Sequence, residues 1–522
     1  MFPPMHDKPL SPDFRGESGW RQSGSRKAMG RETRKMALKI YNTPTKRKEE
    51  FVPLAEGKVG LYVCGITAYD VCHVGHARSA VVFDVVVRYL RECGYAVTYV
   101  KNFTDVDDKI IEKANRLGLG IAAVAERYIA EHDEDMRALG VAPPTIAPRA
   151  TENIDGMIRL IRRLVDAGLA YAVDGNVYYA VDRFPPYGKL SGRSTEELLA
   201  GARVEVNERK GNPLDFVLWK ASKPGEPFWE SPWGTGRPGW HIECSVMSQR
   251  YLGEQFDIHG GGADLIFPHH ENEIAQSEGA TGKPLASYWM HNGFVRVNSE
   301  KMSKSLGNVF TIREILKHCH PEVLRLFILQ GHYRSPLDFS GEAIEEARMG
   351  LNRLYGTLKA AKDLAAAAQP GPPSTPSGEM SGRIAELERN FHAAMDDDFN
   401  TARAIGHLFE TSRYLNGCFA GKGAPAGGTA APLMAEVRRV FAKVGAVLGM
   451  LQEDPDAYFL KDRERRIAQL GLDAGEIDRL VEERRKARAE KDWRRADEIR
   501  GLLAARKVVI QDSPSGTTWR VE

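Results

Sequence analysis

Between Lys58 and Cys64 the chain reads KVGLYVC, with apolar and β-branched residues in the period-2 pattern of a strand. A loop of glycine and histidine follows, then an apolar run from Ala77 to Leu90 that is long enough for a helix. Ala96 to Val100 predicts the next strand. Strand, glycine turn and helix in that order predict a parallel sheet of the nucleotide-binding kind. A further strand is predicted over His291–Val297, just before Lys301–Ser305 (KMSKS). Residues from about 146 to 235 are richer in Pro, Gly and Trp and have the character of an insertion. After Thr311 the pattern turns helical (IREILKHCHPEVLRLFILQ). Two Ala/Pro/Gly linkers, Leu364–Gly378 and Gly421–Pro432, bracket a further helical segment, and a charged helical tail runs from about Lys461 to Lys507. No internal repeat is apparent.

Length and composition narrow the picture. A chain of 522 residues has room for roughly three or four domains. Its 42% apolar and 27% charged residues are those of a soluble globular protein. The longest apolar stretch, Ala80–Val87, is interrupted by Asp84 and falls far short of a membrane span. Six cysteines are too few for a disulfide framework, which predicts a reducing, cytoplasmic setting. A net charge of +2 excludes a strongly basic nucleic-acid coat. Residues 1–35, rich in Gly, Ser, Pro and basic residues, predict a disordered extension, with Met36 an alternative start. Asp7, Asp13, Glu17 and Glu32 count against an Arg-rich transit peptide.

Two segments carry phosphate chemistry. His73-Val74-Gly75-His76 lies between the first strand and the first long helix. Gly75 permits close backbone approach, the helix N-terminus offers unpaired N–H groups, and two imidazoles can donate to phosphate oxygens. Alone, HxGH would be two polar turn histidines. Lys301-Met302-Ser303-Lys304-Ser305 is small, polar and doubly cationic, placed where a mobile loop could close on a triphosphate. Alone, it would be a solvated loop. In this order and context the pair resembles the two signatures of class I aminoacyl-tRNA synthetases.

A second constellation has the residue types of a metal site. His269 and Glu273, at i and i+4 in PHHENE, share a helix face, with Pro268 suited to the first turn. His270 points elsewhere on that helix, as a structural or substrate-facing residue. Gly260-Gly261-Gly262 predicts a flexible turn where backbone can approach a nucleotide. Cys64, Cys72 and Cys244 lie near candidate metal motifs, and thiolate with imidazole and carboxylate favours zinc over magnesium or calcium. Spacing alone leaves metal ligand and buried free thiol evenly balanced. For Cys72, Cys93, Cys319 and Cys418 the buried free thiol is the better reading.

The segments LYVCGITAYDVCHVGHAR, NFTDVDDKI, DFVLWK, PGWHIECS, DIHGGGADLIFPHHENEIAQSE, EKMSKSLGN, GHYRSPLDFS and AMDDDFNTA resemble the cysteinyl-tRNA synthetases, from about Met36 onward. The resemblance implies an α/β fold: a Rossmann-like parallel-sheet catalytic domain with an inserted connective domain, followed by C-terminal α-helical tRNA-binding domains. It divides the chain into an extension (1–35), a catalytic first half (36–145), a connective insertion (146–235), a catalytic second half (236–310), a helical stem-contact and bundle region (311–450) and an anticodon-binding domain (451–522). It implies Cys64, Cys244, His269 and Glu273 as ligands of one zinc ion (Zn2+). It implies His73, His76 and Lys304 as catalytic residues. Gly65, Gly75, Gly260, Gly261, Lys301 and Ser303 would join those three in the ATP site, with Mg2+ accompanying ATP. Thr104, Trp240 and His259 would line the substrate pocket.

The implied reaction joins L-cysteine to tRNA(Cys) through cysteinyl-adenylate. Serine differs from cysteine only by oxygen for sulfur, a difference that an apolar pocket separates weakly, often by only ~100-fold. Zinc that binds the substrate thiolate directly would supply the discrimination. No insertion of editing-domain size is present.

The stretch Arg484–Arg495 (RRKARAEKDWRR) has seven basic and two acidic residues, interrupted by Trp493. A basic run is usually a solvated helix face, but an aromatic among cations suits base stacking with phosphate contact. By resemblance, Trp493, Asp497, Arg500 and Asp512 would read the anticodon, and the protein would be a monomer. Lys507 departs from the family, which commonly has glycine there. HVGH in place of HIGH is a volume-conserving change. A related ligase that couples cysteine to a glucosaminyl-inositol would keep both signatures and the zinc site, yet it would not need the basic, Trp-bearing tail. A non-catalytic tRNA-binding or zinc-sensing paralogue should show damaged signatures, and both are intact here.

Overall fold

A computed structural model describes residues 38–194, 196–197, 210–297, 300–301, 310–368, 378–421, 430–513 and 516–521. The predicted extension over 1–35, and Ser303 and Lys304 of KMSKS, lie outside the described residues.

The described chain begins with a hairpin, β1 (Lys39–Asn42) and β2 (Arg47–Glu50). The KVGLYVC pattern becomes β3 (Lys58–Thr67), followed by α1 (Val74–Glu92) and β4 (Ala96–Thr104). Helices α2 (Asp108–Leu117), α3 (Ile121–Ala138) and α4 (Ile154–Asp166) lead into an antiparallel sheet of β5 (Ala170–Val173), β6 (Asn176–Tyr179), β7 (Phe216–Ala221) and β8 (Gly236–Pro238). Then come α5 (Trp240–Leu252), β9 (Phe256–Gly262), α6 (Glu271–Thr281) and β10 (Ala286–Asn292).

Strands β10, β9, β3 and β4, in that spatial order, form one parallel sheet. A parallel sheet is covered on both faces, so Leu61, Tyr62 and Val63 in succession are buried, beneath a helix α1 whose Ala80–Val87 run is buried throughout. The chain leaves β3 toward β4 on one side and returns as β9 on the other. The carboxyl ends of β3 and β9 therefore flank a topological switch point, where ligands of open parallel sheets bind. The segment predicted as an insertion shares a core with the elements around the parallel sheet: Tyr179 and Trp219 pack in one cluster with Met247 of α5 and Ile274 of α6.

The predicted strand His291–Val297 is interrupted. β10 ends at Asn292 and β11 begins at Val295. Between them a Cβ on Gly293 would lie 2.5 Å from the Ser335 carbonyl oxygen, and the chain turns into a second small sheet. There β11 (Val295–Val297) pairs with β12 (Glu300–Lys301) and β13 (Leu337–Phe339). The helical stretch after Thr311 is two helices, α7 (Ile312–His318) and α8 (Pro321–Leu329), with Pro321 in the first turn of the second.

Helices α9 (Gly341–Ala367), α10 (Glu379–Asp396), α11 (Thr401–Ala420) and α12 (Ala430–Leu448) form the C-terminal bundle. It is bolted to α1: Arg325 of α8, fully buried, donates to Asp84 of α1 at 2.6 Å and to the Leu448 carbonyl at 2.9 Å. Tyr89 of α1 donates to Asp396 at 2.6 Å.

The charged tail is α13 (Pro455–Leu470), α14 (Ala474–Ala489) and α15 (Trp493–Ala505). The helical tail expected over Lys461–Lys507 forms, and strands follow it. An antiparallel hairpin, β14 (Val508–Ser513) and β15 (Gly516–Val521), closes the chain on a small core of Ile477, Val481, Ile499, Leu503, Val508 and Val521. VVIQDS and GTTWRV, beyond the charged tail, have the β-branched content of strands. Among the described residues no helix is long and apolar enough to cross a membrane.

Candidate active site and metal centre

His73 is the N-cap of α1. Its Nδ1 accepts from the Gly75 N–H at 3.1 Å, and the His76 Nδ1 accepts from the His73 N–H at 3.1 Å, a reciprocal cap built from imidazoles. The two rings stack with centroids 3.8 Å apart. Because each Nδ1 accepts a backbone N–H, the neutral rings carry their proton on Nε2, a donor beside the positive end of the helix. The root of the KMSKS segment is tied to this loop, since the Val74 N–H donates to the Phe310 carbonyl and the Ile312 N–H to the Cys72 carbonyl. Lys301 ends β12.

The glycines serve packing that the sequence does not reveal. A Cβ on Gly65 would lie 1.6 Å from the Asn102 carbonyl oxygen, and the Gly65 N–H donates to Asn102 Oδ1 at 2.8 Å. The β3–β4 register shifts between Val63 and Ile66, so Cys64 sits on an irregularity at the carboxyl end of β3. Gly260 and Gly261 do not form the expected flexible turn. They end strand β9, paired with Met290 and His291, and a Cβ there would meet the Phe83 ring at 2.4 Å and the His270 ring at 2.9 Å.

Cys64, Cys244, His269 and Glu273 come from β3, α5, the turn before α6 and α6, and their ligand atoms lie within 4.8 Å of one another. The two sulfurs are 3.7 Å apart, Cys64 Sγ is 3.4 Å from Glu273 Oε1, and His269 Nε2 is 3.1 Å from the same oxygen. Burial and the Cys244 hydrogen bond push the Cys64 thiol up. The hydrogen bond from Cys64, helped by His269, brings Cys244 down to about 6. Burial works against the charge on Glu273, but His259 and His269 outweigh it and hold the carboxyl at about 2. Two thiols, an imidazole and a carboxylate, all buried except the half-buried Cys64, fit the donor chemistry of zinc.

Phe267 is extended (φ −139°, ψ 132°) and breaks the chain just before Pro268, so the turn Pro268–His270 leads into α6, which begins at Glu271. His270, helical in its backbone, lies on the same side as Glu273, and its Nε2 is 3.3 Å from Cys64 Sγ. Cys64, His259, His270 and Glu273 make an overlapping second group of candidate ligands. Helical spacing links only His270 and Glu273, at i and i+3; Cys64 and His259 join them through the fold.

The pocket residues divide. The Trp240 ring, 39% exposed, stacks on His269 at 4.2 Å and borders a cavity of about 260 Å³ lined in part by Val106, Phe216, His241 and Glu243. The Thr104 hydroxyl donates to the buried carboxyl of Glu243, which burial pushes well above the usual carboxylate range. His259 is fully buried, 2.9 Å from Glu273 Oε2 and stacked on Trp289 at 4.4 Å. It braces Glu273. Glu243 and Asn102 escaped notice in the sequence, where an isolated acid and amide give no spacing signal. Cys72 and Cys319 are buried, with their thiols pushed up to about 12 by burial, as expected for packing residues.

In the tail, Trp493, Asp497 and Arg500 occur at i, i+4 and i+7 on one exposed face of α15, with Trp493 59% exposed. Asp512 stands apart. Its carboxylate accepts a two-pronged hydrogen bond from Arg484 at 2.9 Å, and others from Arg488 and the Thr517 hydroxyl.

The chain was compared with known proteins. Residues 50–349 match the tRNA synthetases class I (C) catalytic domain, 390–452 the DALR domain, and 472–520 the cysteinyl-tRNA ligase anticodon binding domain. A cysteine–tRNA ligase of Geobacter metallireducens is 56% identical over 488 residues, 93% of this chain and 100% of the relative. One of Geobacter sulfurreducens is 55% identical over 487 residues, with the same coverage. Among solved structures, methionyl-tRNA synthetase of Mycobacterium tuberculosis in complex with methionyl-adenylate superposes with a TM-score of 0.58 at 15% identity, covering 80% of this chain and 94% of that one. That likeness shows the fold, a class I synthetase architecture. The chain belongs to the cysteine–tRNA ligase family of class I aminoacyl-tRNA synthetases.

Proposed function

We propose that the protein ligates L-cysteine to tRNA(Cys) at the expense of ATP, in two steps. The observation that carries this reading is the Cys64–Cys244–His269–Glu273 cluster, buried but for the half-buried Cys64, at the switch point of the sheet and within one loop of the HVGH cap. In the first step the cysteine carboxylate attacks the α-phosphorus of ATP, forming cysteinyl-adenylate and displacing pyrophosphate. In the second a terminal ribose hydroxyl of the tRNA attacks the acyl carbon, losing its proton, and AMP leaves. Neither step needs a covalent enzyme intermediate, so positioning and charge stabilisation suffice.

His73 and His76 donate from Nε2 to the phosphate oxygens, with Gly75 admitting the backbone and Gly65, Gly260 and Gly261 shaping the floor. Lys304 meets the pyrophosphate, Lys301 and Ser303 support its loop in the ATP site, and Mg2+ accompanies ATP. Cys64, Cys244, His269 and Glu273 hold one Zn2+. When bound, zinc supplies a coordination position that takes a thiolate and refuses a hydroxyl. Trp240 and Thr104 border the amino acid, Glu243 orients the Thr104 hydroxyl, and His259 keeps Glu273 ionised and in place.

The residue ranges 36–145 and 236–310 form the catalytic halves, 146–235 the connective insertion, 311–450 the stem-contact and bundle region and 451–522 the anticodon domain. Trp493, Asp497 and Arg500 meet the anticodon, with Asp512 holding Arg484 and Arg488 beside them. The protein works as a cytoplasmic monomer. Charging of a tRNA(Cys) transcript tests the reading. Cysteine should be esterified and serine not, while an amino-sugar acceptor should take nothing. Transfer to the sugar with none to tRNA would overturn it.

A further inference from the structure

Outside the site, hydrogen bonds converge on one buried carboxylate. Asp398 lies in the turn between α10 and α11, inside the stretch that matches the DALR domain, and is fully buried. Its backbone is left-handed (φ +64°), and Phe399 follows at φ +49°, a region sparsely populated by non-glycine residues and kept only when surroundings over-determine it. The surroundings here do so. Asp398 Oδ1 accepts from the Tyr41 N–H at 2.8 Å and the Tyr333 hydroxyl at 2.7 Å, and Oδ2 accepts from Arg334 Nε at 2.8 Å. The Asp398 N–H donates to the Lys39 carbonyl at 2.9 Å.

The segment it holds is gripped from the other side by α1. Arg78, two residues past His76 and fully buried, donates to the carbonyls of Phe294 at 2.8 Å, Tyr333 at 3.0 Å and Ser335. Phe294 leads directly into β11, whose antiparallel partner β12 ends on Lys301. The Gly293 N–H also donates to the Tyr333 carbonyl, at 2.8 Å. Asp398 thus holds the side chains of Tyr333 and Arg334, while Arg78, itself part of α1, holds the Tyr333 and Ser335 carbonyls together with that of Phe294 at the root of β11.

We propose that Asp398 is a positioning residue for the ATP step: it fixes residues 333–335 so that Arg78 holds the β11–β12 sheet at the correct distance from His73 and His76. The inference rests on the reading that Lys304 acts on the pyrophosphate. Asp398→Asn keeps the shape and tolerates the left-handed backbone, but it replaces an acceptor oxygen with an NH2 group facing cationic or donor neighbours. The reacting groups then shift relative to one another, and small displacements cost much of the rate.

The test is cysteine-dependent ATP–pyrophosphate exchange on the full chain for Asp398→Asn, Tyr333→Phe and Lys304→Ala, with zinc content measured on each. Asp398→Asn should lower kcat roughly 10- to 100-fold and raise the KM for ATP, with the KM for cysteine and zinc content as in wild type. Tyr333→Phe, which loses a single hydroxyl, should move kcat the same way by less, and it decides the matter if Asp398→Asn does not fold. Equal damage to cysteine KM and zinc content would mean general disruption and overturn the proposal. So would wild-type kcat in both variants beside an impaired Lys304→Ala. Wild-type exchange in Lys304→Ala would instead overturn the loop reading beneath it.

Discussion

Gly65 has no room for even one carbon, since the Asn102 carbonyl occupies the place of its Cβ. Gly65→Ala should push β4 away from β3, cost about 3 kcal/mol and lower zinc content with it. Denaturant midpoint and metal analysis check this, and a variant as stable and zinc-rich as wild type would contradict it. At Lys507 the strain runs the other way. Its φ of +59° follows the last turn of α15, a left-handed position that favours glycine. The departure from the family's glycine was legible in the sequence, and the structure gives it a physical consequence. Lys507→Gly should stabilise the tail by about 1 kcal/mol, measured by thermal unfolding. The proposed metal ligands were less legible. Cys64, Cys244 and His269–Glu273 lie far apart in sequence, and periodicity links only the last two; resemblance linked the rest. His270, expected to be structural or substrate-facing, is buried and bonded to His291 at 2.8 Å.

At the scale of elements, periodicity read β3, α1 and β4 well, because a parallel strand and its covering helix are marked by long apolar runs. It failed where tertiary contacts cut an apolar stretch, as at Gly293, and it was silent on the hairpin β14–β15 beyond the charged tail. That hairpin is joined to α14 through Asp512, whose carboxyl is held well below its usual range by the hydrogen bonds of Arg484 and Thr517 and the charge of Arg488. A depressed folded value means the stabilisation is fully present above the unfolded carboxyl value of about 3.9 and is lost as pH falls through the folded one. An NMR titration of the Asp512 carboxyl should therefore show a midpoint below that value, and one at or above it would sink the assignment. The exposed face of α15 makes a separate prediction. Trp493→Ala should weaken tRNA binding by about 1–3 kcal/mol while leaving cysteine-dependent pyrophosphate exchange intact. Loss of exchange with unchanged tRNA affinity would place Trp493 in the wrong process.

Across the whole molecule, α1 is the shared member. Its first turn presents His73 and His76, its middle holds Arg78 and Asp84, and its end reaches Asp396 through Tyr89. The buried Asp84–Arg325 pair joins it to the helical bundle, and removing one partner strands a charge. Asp84→Ala should cost about 3–5 kcal/mol, read as a fall in the denaturation midpoint. A change under about 1 kcal/mol would mean that the pair is dispensable. None of this convergence shows in the sequence, where Asp84 merely interrupts an apolar run. The near-neutral net charge likewise conceals a basic tail. The central claim is that the four-residue cluster selects cysteine, and the most direct test is ATP–pyrophosphate exchange with cysteine and with serine, on wild type and Cys244→Ser, alongside zinc content. Wild type should hold one zinc and exchange with cysteine alone, and Cys244→Ser should lose both together. Full zinc and undiminished cysteine-dependent exchange in Cys244→Ser would contradict the account.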